Sequence, residues 1–246
     1  MTTDSPRDAT PPPLPETPPE GWRQHRYSPP PGATTVLLVR HGESAPVHPE
    51  RPFATLDGHG DPVLDPVGEQ QAELLAERLQ DEKLAAIYVT TLQRTHQTAA
   101  PLAARLGLEP VVEPDLREVF LGDWEGGEIR ARAAAGDALF REIWERERWD
   151  VIPGAEPHDD FDARVWRGFQ RIVAAHRDQI VMAVSHGGVI GHLLHRVTGS
   201  RRFAFASTDN ASISELVAMP EGDTSAWGRI MLRRYNDTAH LLPLLG

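Results

Sequence analysis

Val36-Leu37-Leu38-Val39 is an apolar run that stops at Arg40-His41-Gly42-Glu43. A guanidinium suits the paired oxygens of a phosphate or carboxylate, and a neutral imidazole nitrogen is a competent nucleophile. Side by side at the end of a buried strand, they offer an oxyanion a clamp and an attacking atom. Gly42 lacks a Cβ, so the backbone there can approach a ligand. Alone, the tripeptide reads better as a surface turn. Other chemistry-bearing stretches follow apolar runs in the same way. Thr90-Thr91-Leu92-Gln93-Arg94-Thr95-His96 comes after Ala86–Val89. Leu116-Arg117-Glu118, then Leu121-Gly122-Asp123-Trp124-Glu125-Gly126, comes after Val111-Val112. Ser185-His186-Gly187-Gly188 comes after Ile180–Val184, and Asn236-Asp237-Thr238-Ala239-His240 lies near the C-terminus.

The elements that must position these groups follow from local patterns. Short β-branched runs without alternation read as strands buried on both faces, as in a parallel sheet. In open α/β sheets ligands bind beyond the carboxyl ends of the strands. Asp65-Pro66 predicts a helix start, with Asp65 as cap and Pro66 at the first position. A second helix is expected from about Leu92 to Leu106, stopped by Gly107. Arg94 in its first turn opposes the helix dipole, which is a cost unless the cation is held toward an anion. His96 faces elsewhere and reads as structural. Longer helices are expected over about 128–149 and 161–177, their aromatics serving core or wall. Gly187-Gly188 opens another to about Val197, so that His186 meets a helix N-terminus suited to anions. His192 and His195 on that helix lack a third metal ligand. Two strands, 213–218 and 229–235, complete the pattern.

The connection from Ala45 to Leu64 is long and rich in Pro, Gly and Asp, and loops of this length in a compact domain are usually functional. It is expected to arch over the site, with His48 and His59 as exposed loop histidines. Residues 1–33 hold ten of the 22 prolines. Such a segment buries too little apolar surface to order itself, so it is expected to be a disordered tail before a domain spanning 34–246. Pro11-Pro12-Pro13 and Pro29-Pro30-Pro31 predict polyproline II stretches, and Trp22 and Tyr27 are not expected to fold back.

Composition excludes whole classes of function. A net charge of −11 argues against nucleic-acid or anionic-membrane surfaces. No cysteine is present, which removes disulfides, thiolate–zinc sites and cysteine-based phosphatase chemistry. Lys83 is the single lysine among 25 basic residues, and no P-loop surrounds it. No membrane span or secretory signal is read, and a cytoplasmic enzyme is expected.

The ordered set of motifs resembles the histidine phosphatase superfamily, the phosphoglycerate mutase-like proteins, over residues 34–246. The resemblance implies a three-layer α/β/α sandwich with a mostly parallel central sheet. It makes His41 the phosphohistidine nucleophile, with its other ring nitrogen held by a backbone carbonyl. Arg40 and Arg94 would grip the phosphate, helped by Gly42, Ser44 and Gly187. His186 would donate to a phosphoryl oxygen as an imidazolium stabilised by the phosphate dianion. Glu118, its pKa lifted by burial, would be the general acid, with Asp123 and Glu125 as rivals on the same loop. No metal and no cofactor are implied, and the partner is a small phosphomonoester bound by a monomer or homodimer. Mutases of this group usually read Arg-His-Gly-x-Ser-x-Trp-Asn. Here Ala45-Pro46-Val47 follows Ser44, which points to the phosphatase branch. A phosphoglycerate mutase and a non-catalytic phospho-ligand-binding module are the alternatives.

Overall fold

The computed structural model describes residues 16–48, 50–219 and 230–244. Pro11-Pro12-Pro13 lies outside the described residues. Pro29-Pro30-Pro31 does not run on as polyproline II. Ala33 N–H donates to Pro30 O, and Gly32, at φ 83°, closes a β-turn. Tyr27 also meets the body of the protein, with the Arg233 guanidinium 3.7 Å from its ring centroid.

The apolar run around Leu37 becomes β1 (Thr34–Arg40), buried along almost its whole length. The loop after it contains a hairpin of β2 (Thr55–Leu56) and β3 (His59–Gly60). Then come α1 (Pro66–Leu79), β4 (Leu84–Val89), α2 (Gln93–Leu106) and β5 (Val111–Val112). Two short helices follow, α3 (Glu128–Ala134) and α4 (Ala138–Arg146), and then α5 (His158–Ala175). The chain continues through β6 (Ile180–Ser185), α6 (Gly187–Thr198), β7 (Ile213–Ala218) and β8 (Ile230–Asp237). Asp65 caps α1 by accepting from Gly68 N–H at 2.7 Å, as its sequence predicts.

The helix expected over 128–149 is two helices. Gly136, at φ 64°, ends the first, and the Asp137 carboxylate caps the second by accepting from Leu139 N–H at 2.7 Å. Gly followed by Asp is a stop and a start in adjacent positions.

The sheet order is β5-β4-β6-β1-β7-β8. β5, β4, β6 and β1 pair in parallel, and β7 joins β1 antiparallel. Alternation along β1 divides the core. Val36 and Leu38 face Phe161, Phe169 and Leu193 of α5 and α6, whereas Leu37 and Val39 face Leu75, Leu79 and Leu102 of α1 and α2. Both faces of β1 are therefore covered, as expected for a central strand of a three-layer α/β/α sandwich. The carboxyl ends of β1 and β6 lie side by side, with Arg40 paired to Ser185, so the residues just beyond them share one edge. Among the described residues, no helix is long and apolar enough to cross a membrane.

Candidate active site

Arg40, His41, Arg94 and Glu118 line one pocket of about 300 Å³, together with Ser44 and Gly187. A larger, open groove of about 750 Å³ beside α1 and α2, lined by Glu69, Gln97 and Pro101, holds none of the candidate residues. His41 is 6% exposed, and its Nδ1 lies 2.7 Å from its neighbour's carbonyl, Gly42 O. That carbonyl can only accept, so Nδ1 carries the hydrogen and Nε2 keeps its lone pair. Burial, then the charges of Arg94 and Arg40, push the His41 pKa well below the ordinary imidazole value. The ring is neutral and ready to attack.

Arg40 is fixed at one end, where a terminal nitrogen donates to Thr208 O, while its buried Nε has no partner among the described residues. Gly187 packs beside that Nε, where a Cβ would sit in ordinary van der Waals contact at 3.4 Å. Arg94, 7% exposed, donates to Gly60 O at 3.0 Å. Arg94 is buried and Arg40 half-buried, and the acid paired with Arg94, Asp61, stands 3.9 Å away. Two guanidiniums set together suit the oxygens of an oxyanion.

Three expected roles are revised. Gly42 does not open the backbone to a ligand: its N–H donates to Thr98 Oγ1 at 2.9 Å, and a Cβ would lie 2.7 Å from Gly68 O. It lets α1 pack against the Arg-His turn. In the free protein His186 is held as a neutral imidazole. An Arg94 nitrogen 3.3 Å from its Nδ1 can only donate, so Nδ1 accepts, and Nε2–H turns to Thr90 Oγ1 at 3.0 Å. Burial, Arg94 and His41 hold its pKa well down. Fully buried, it steadies Arg94 from behind, with its ring centroid 5.2 Å from that of His41. His59, expected in solvent, is 6% exposed and lines the pocket, whereas His48 is exposed.

The three acids differ in their surroundings. The Glu125 carboxylate accepts from Leu121 N–H at 2.8 Å and Gly60 N–H at 2.6 Å, so it ties the hairpin to its own loop. Asp123 is exposed. Removal from solvent raises the Glu118 pKa, against the opposing pull of the Val119 and Gly188 N–H groups and of Arg94 and Arg40.

Several functional residues escaped sequence reasoning. Besides opening α6, Gly188 donates its N–H to Glu118 Oε2 at 3.2 Å, and a Cβ there would collide with Oε1. Arg164 on α5 donates to the carbonyls of Asp115 (2.8 Å), Arg117 (2.6 Å) and Glu118 (2.9 Å), and pairs with Glu156 at 2.6 Å, so it pins the acid's loop. Asn210 Nδ2 donates to His41 O at 2.8 Å from a turn just before β7, and Thr208-Asp209-Asn210 was a readable turn signal. Arg130 stands at the mouth, donating to Ser44 Oγ at 2.7 Å and Ala45 O at 2.9 Å. Ser44 thus reaches the pocket as an anchor for a third arginine. His96 Nε2 meets Thr90 O at 2.8 Å, a structural contact as expected. His192 bonds Asp162 at 2.8 Å, and no metal-binding cluster of three or more such ligands occurs among the described residues.

The chain belongs to the histidine phosphatase superfamily (branch 1), whose family model matches residues 36–228. It is therefore an enzyme of the histidine phosphatase type, with both phosphatases and mutase-like proteins among its relatives. It is 36% identical over 171 residues to a phosphoglycerate mutase-like protein of Arabidopsis thaliana, covering 68% of this chain and 72% of that one. A metal-independent phosphoserine phosphatase from the same plant is 30% identical over 168 residues, 67% of this chain and 69% of that protein. Against a bifunctional protein of Mycobacterium tuberculosis, identity is 33% over 224 residues, and the match spans 90% of this chain but 57% of that longer protein. The structure of a mycobacterial glucosyl-3-phosphoglycerate phosphatase superposes with a TM-score of 0.66 at 26% identity, over 84% of this chain and all (100%) of that one.

Proposed function

We propose that the protein hydrolyses a small phosphomonoester without a metal ion, through a phosphohistidine on His41. The observation that carries this reading is the single free nitrogen of a neutral His41, in one pocket with Arg40 and the buried Arg94. Arg40 and Arg94 take the phosphoryl oxygens, and their charge serves where Mg²⁺ serves in other phosphoryl-transfer sites. Nε2 attacks phosphorus, the bond from phosphorus to the alcohol oxygen breaks, and Glu118 gives its proton to the departing alkoxide. Water then attacks the phosphohistidine, Glu118 takes back a proton, and inorganic phosphate leaves. His186 and Thr90 act through Arg94.

The absence of the Trp-Asn pair after Ser44 favours a phosphatase, as do the two relatives named as phosphatases. A mutase is the second reading because of the mutase-like relative. Incubation with 3-phosphoglycerate and 2,3-bisphosphoglycerate in EDTA, followed by phosphorus NMR, separates the two. Release of inorganic phosphate with little 2-phosphoglycerate is expected. Conversion outpacing release would install the mutase reading, and activity that returns only with added metal would sink the mechanism.

Arg40→Ala and Arg94→Ala should each remove about 2–4 kcal/mol of transition-state stabilisation, comparable to losing an oxyanion donor. Both should also raise KM, because the dianion meets the guanidiniums before reaction as well as during it. Steady-state kinetics in which either variant lowers kcat/KM less than about tenfold would remove that arginine from the phosphate site.

A further inference from the structure

The Asn236-Asp237-Thr238-Ala239-His240 motif has no part in the mechanism above, yet its side chains reach the turn that backs the nucleophile. That turn, residues 208–211, holds both residues at the end of β1. Thr208 O accepts from the Arg40 guanidinium, Asn210 Nδ2 donates to His41 O at 2.8 Å, and Ala211 N–H donates to Arg40 O at 2.9 Å. Ala211 is fully buried at φ 54°, a conformation that a residue with a Cβ keeps only where its surroundings impose it. The imposing groups come from the far end of the chain. Asp209 N–H donates to Asn236 Oδ1 at 2.7 Å, and Asn236 Nδ2 donates back to Asp209 Oδ2 at 2.7 Å. His240 Nε2 lies 3.1 Å from Ala211 O, which can only accept, so Nε2 carries the hydrogen. Asn236 takes φ 51° where the β7–β8 register shifts, and its own N–H donates to Ser214 Oγ at 3.2 Å. Asparagine tolerates that backbone and presents one donor and one acceptor side by side, which is what the Asp209 peptide and carboxylate require.

We propose that Asn236 is a positioning residue: paired with Asp209, and with His240 beside it, it fixes the turn against which Arg40 and His41 are aligned for phosphoryl transfer. The inference rests on the reading that Arg40 and His41 do the chemistry, and adds that the C-terminal motif sets their geometry. Reacting groups held slightly out of line lose rate steeply, so a loosened turn is felt in turnover although no contact to substrate is removed.

Hydrolysis of p-nitrophenyl phosphate and its inhibition by inorganic phosphate test this, on the full chain at a temperature where circular dichroism shows each variant folded. Asn236→Ala should lower kcat/KM by about 10–10²-fold and raise the inhibition constant of inorganic phosphate, because the turn that anchors Arg40 is loosened. Asn236→Asp, which sets two carboxylates face to face, should do the same. Adding Asp209→Asn to it restores a donor opposite an acceptor and should return kcat/KM to within about threefold of wild type. Arg234→Ala breaks the ion pairs to Glu215 and Asp237 on the same strand. It should leave the kinetics within about twofold of wild type, whatever it does to the melting temperature. Unchanged kinetics in a folded Asn236→Ala protein overturn the inference, as does an equal loss in Arg234→Ala or a double exchange no better than Asn236→Asp alone. If Asn236→Ala does not fold, that last comparison decides. His41→Ala keeps the two readings apart. If it retains activity, the phosphatase reading fails and the inference with it. If it is inactive while Asn236→Ala matches wild type, the inference alone fails.

Discussion

His41→Ala should lower turnover by on the order of 10⁴-fold or more, the scale on which loss of a covalent nucleophile acts, while leaving the fold intact. The side chain is buried, but its one intramolecular bond is to an adjacent carbonyl, so truncation disrupts no long-range contact recorded for the ring beyond its edge against His186. Rapid quench of the wild-type protein with substrate should trap a phosphoryl adduct that is labile in acid and stable in base, and the variant should show none. Near-normal activity in the alanine variant would overturn the assignment of the nucleophile. Circular dichroism and thermal melting of the same sample separate loss of chemistry from loss of fold.

Glu118→Gln should slow alkyl phosphates by about 10²–10⁴-fold, the usual span for general acid–base catalysis. An alkoxide leaving group is strongly basic and needs a proton as it departs, whereas a nitrophenolate does not. With p-nitrophenyl phosphate the first step should be nearly spared, leaving a burst of nitrophenolate followed by slow dephosphorylation. Gly188→Ala should reproduce part of this pattern without touching the acid, because the new Cβ collides with Glu118 Oε1. If Glu118→Gln slows both substrate types equally, Glu118 only anchors its loop, and Glu125→Gln should then show the leaving-group dependence.

The pH profile follows from the two opposed shifts. His41 must be neutral to attack, and its pKa lies well below the ordinary imidazole value. Glu118 must be protonated to act as acid, and its pKa lies above the ordinary carboxyl value. At ordinary values the imidazole pKa lies above the carboxyl pKa, so the two requirements conflict. Lowering the first while raising the second brings them together. For alkyl substrates, kcat/KM should fall on the alkaline side as Glu118 loses its proton. That limb should vanish in Glu118→Gln.

Features set by near neighbours in the chain were legible in the sequence. The apolar run ending at Arg40-His41, the Asp65-Pro66 start, the Gly107 stop and the strand over 213–218 all depend on a few consecutive residues. So does the orientation of His41, because the carbonyl that binds Nδ1 belongs to the next residue. The Gly136-Asp137 break and the Asp57-Gly58 hairpin are equally local, each set by a glycine at positive φ beside an aspartate. Other decisions needed the folded chain. Glu118, Asp123 and Glu125 lie within eight residues on one loop, and no local pattern tells an acid held away from water from one that braces a hairpin or one left in solvent. The difference lies in what α6, β3 and α5 bring to that loop: Gly188 N–H, Gly60 N–H and the Arg164 guanidinium. The neutrality of His186 is of the same kind. Its two ring nitrogens are claimed by Thr90 and Arg94, more than 90 residues earlier in the chain, and its charge depends on cations that only the sheet's shared edge brings together. Residue types and their order specified the chemistry on offer. Burial and long-range hydrogen bonding assigned each group its protonation state, because the free energy of a charge depends on everything packed around it, and sequence distance does not measure that.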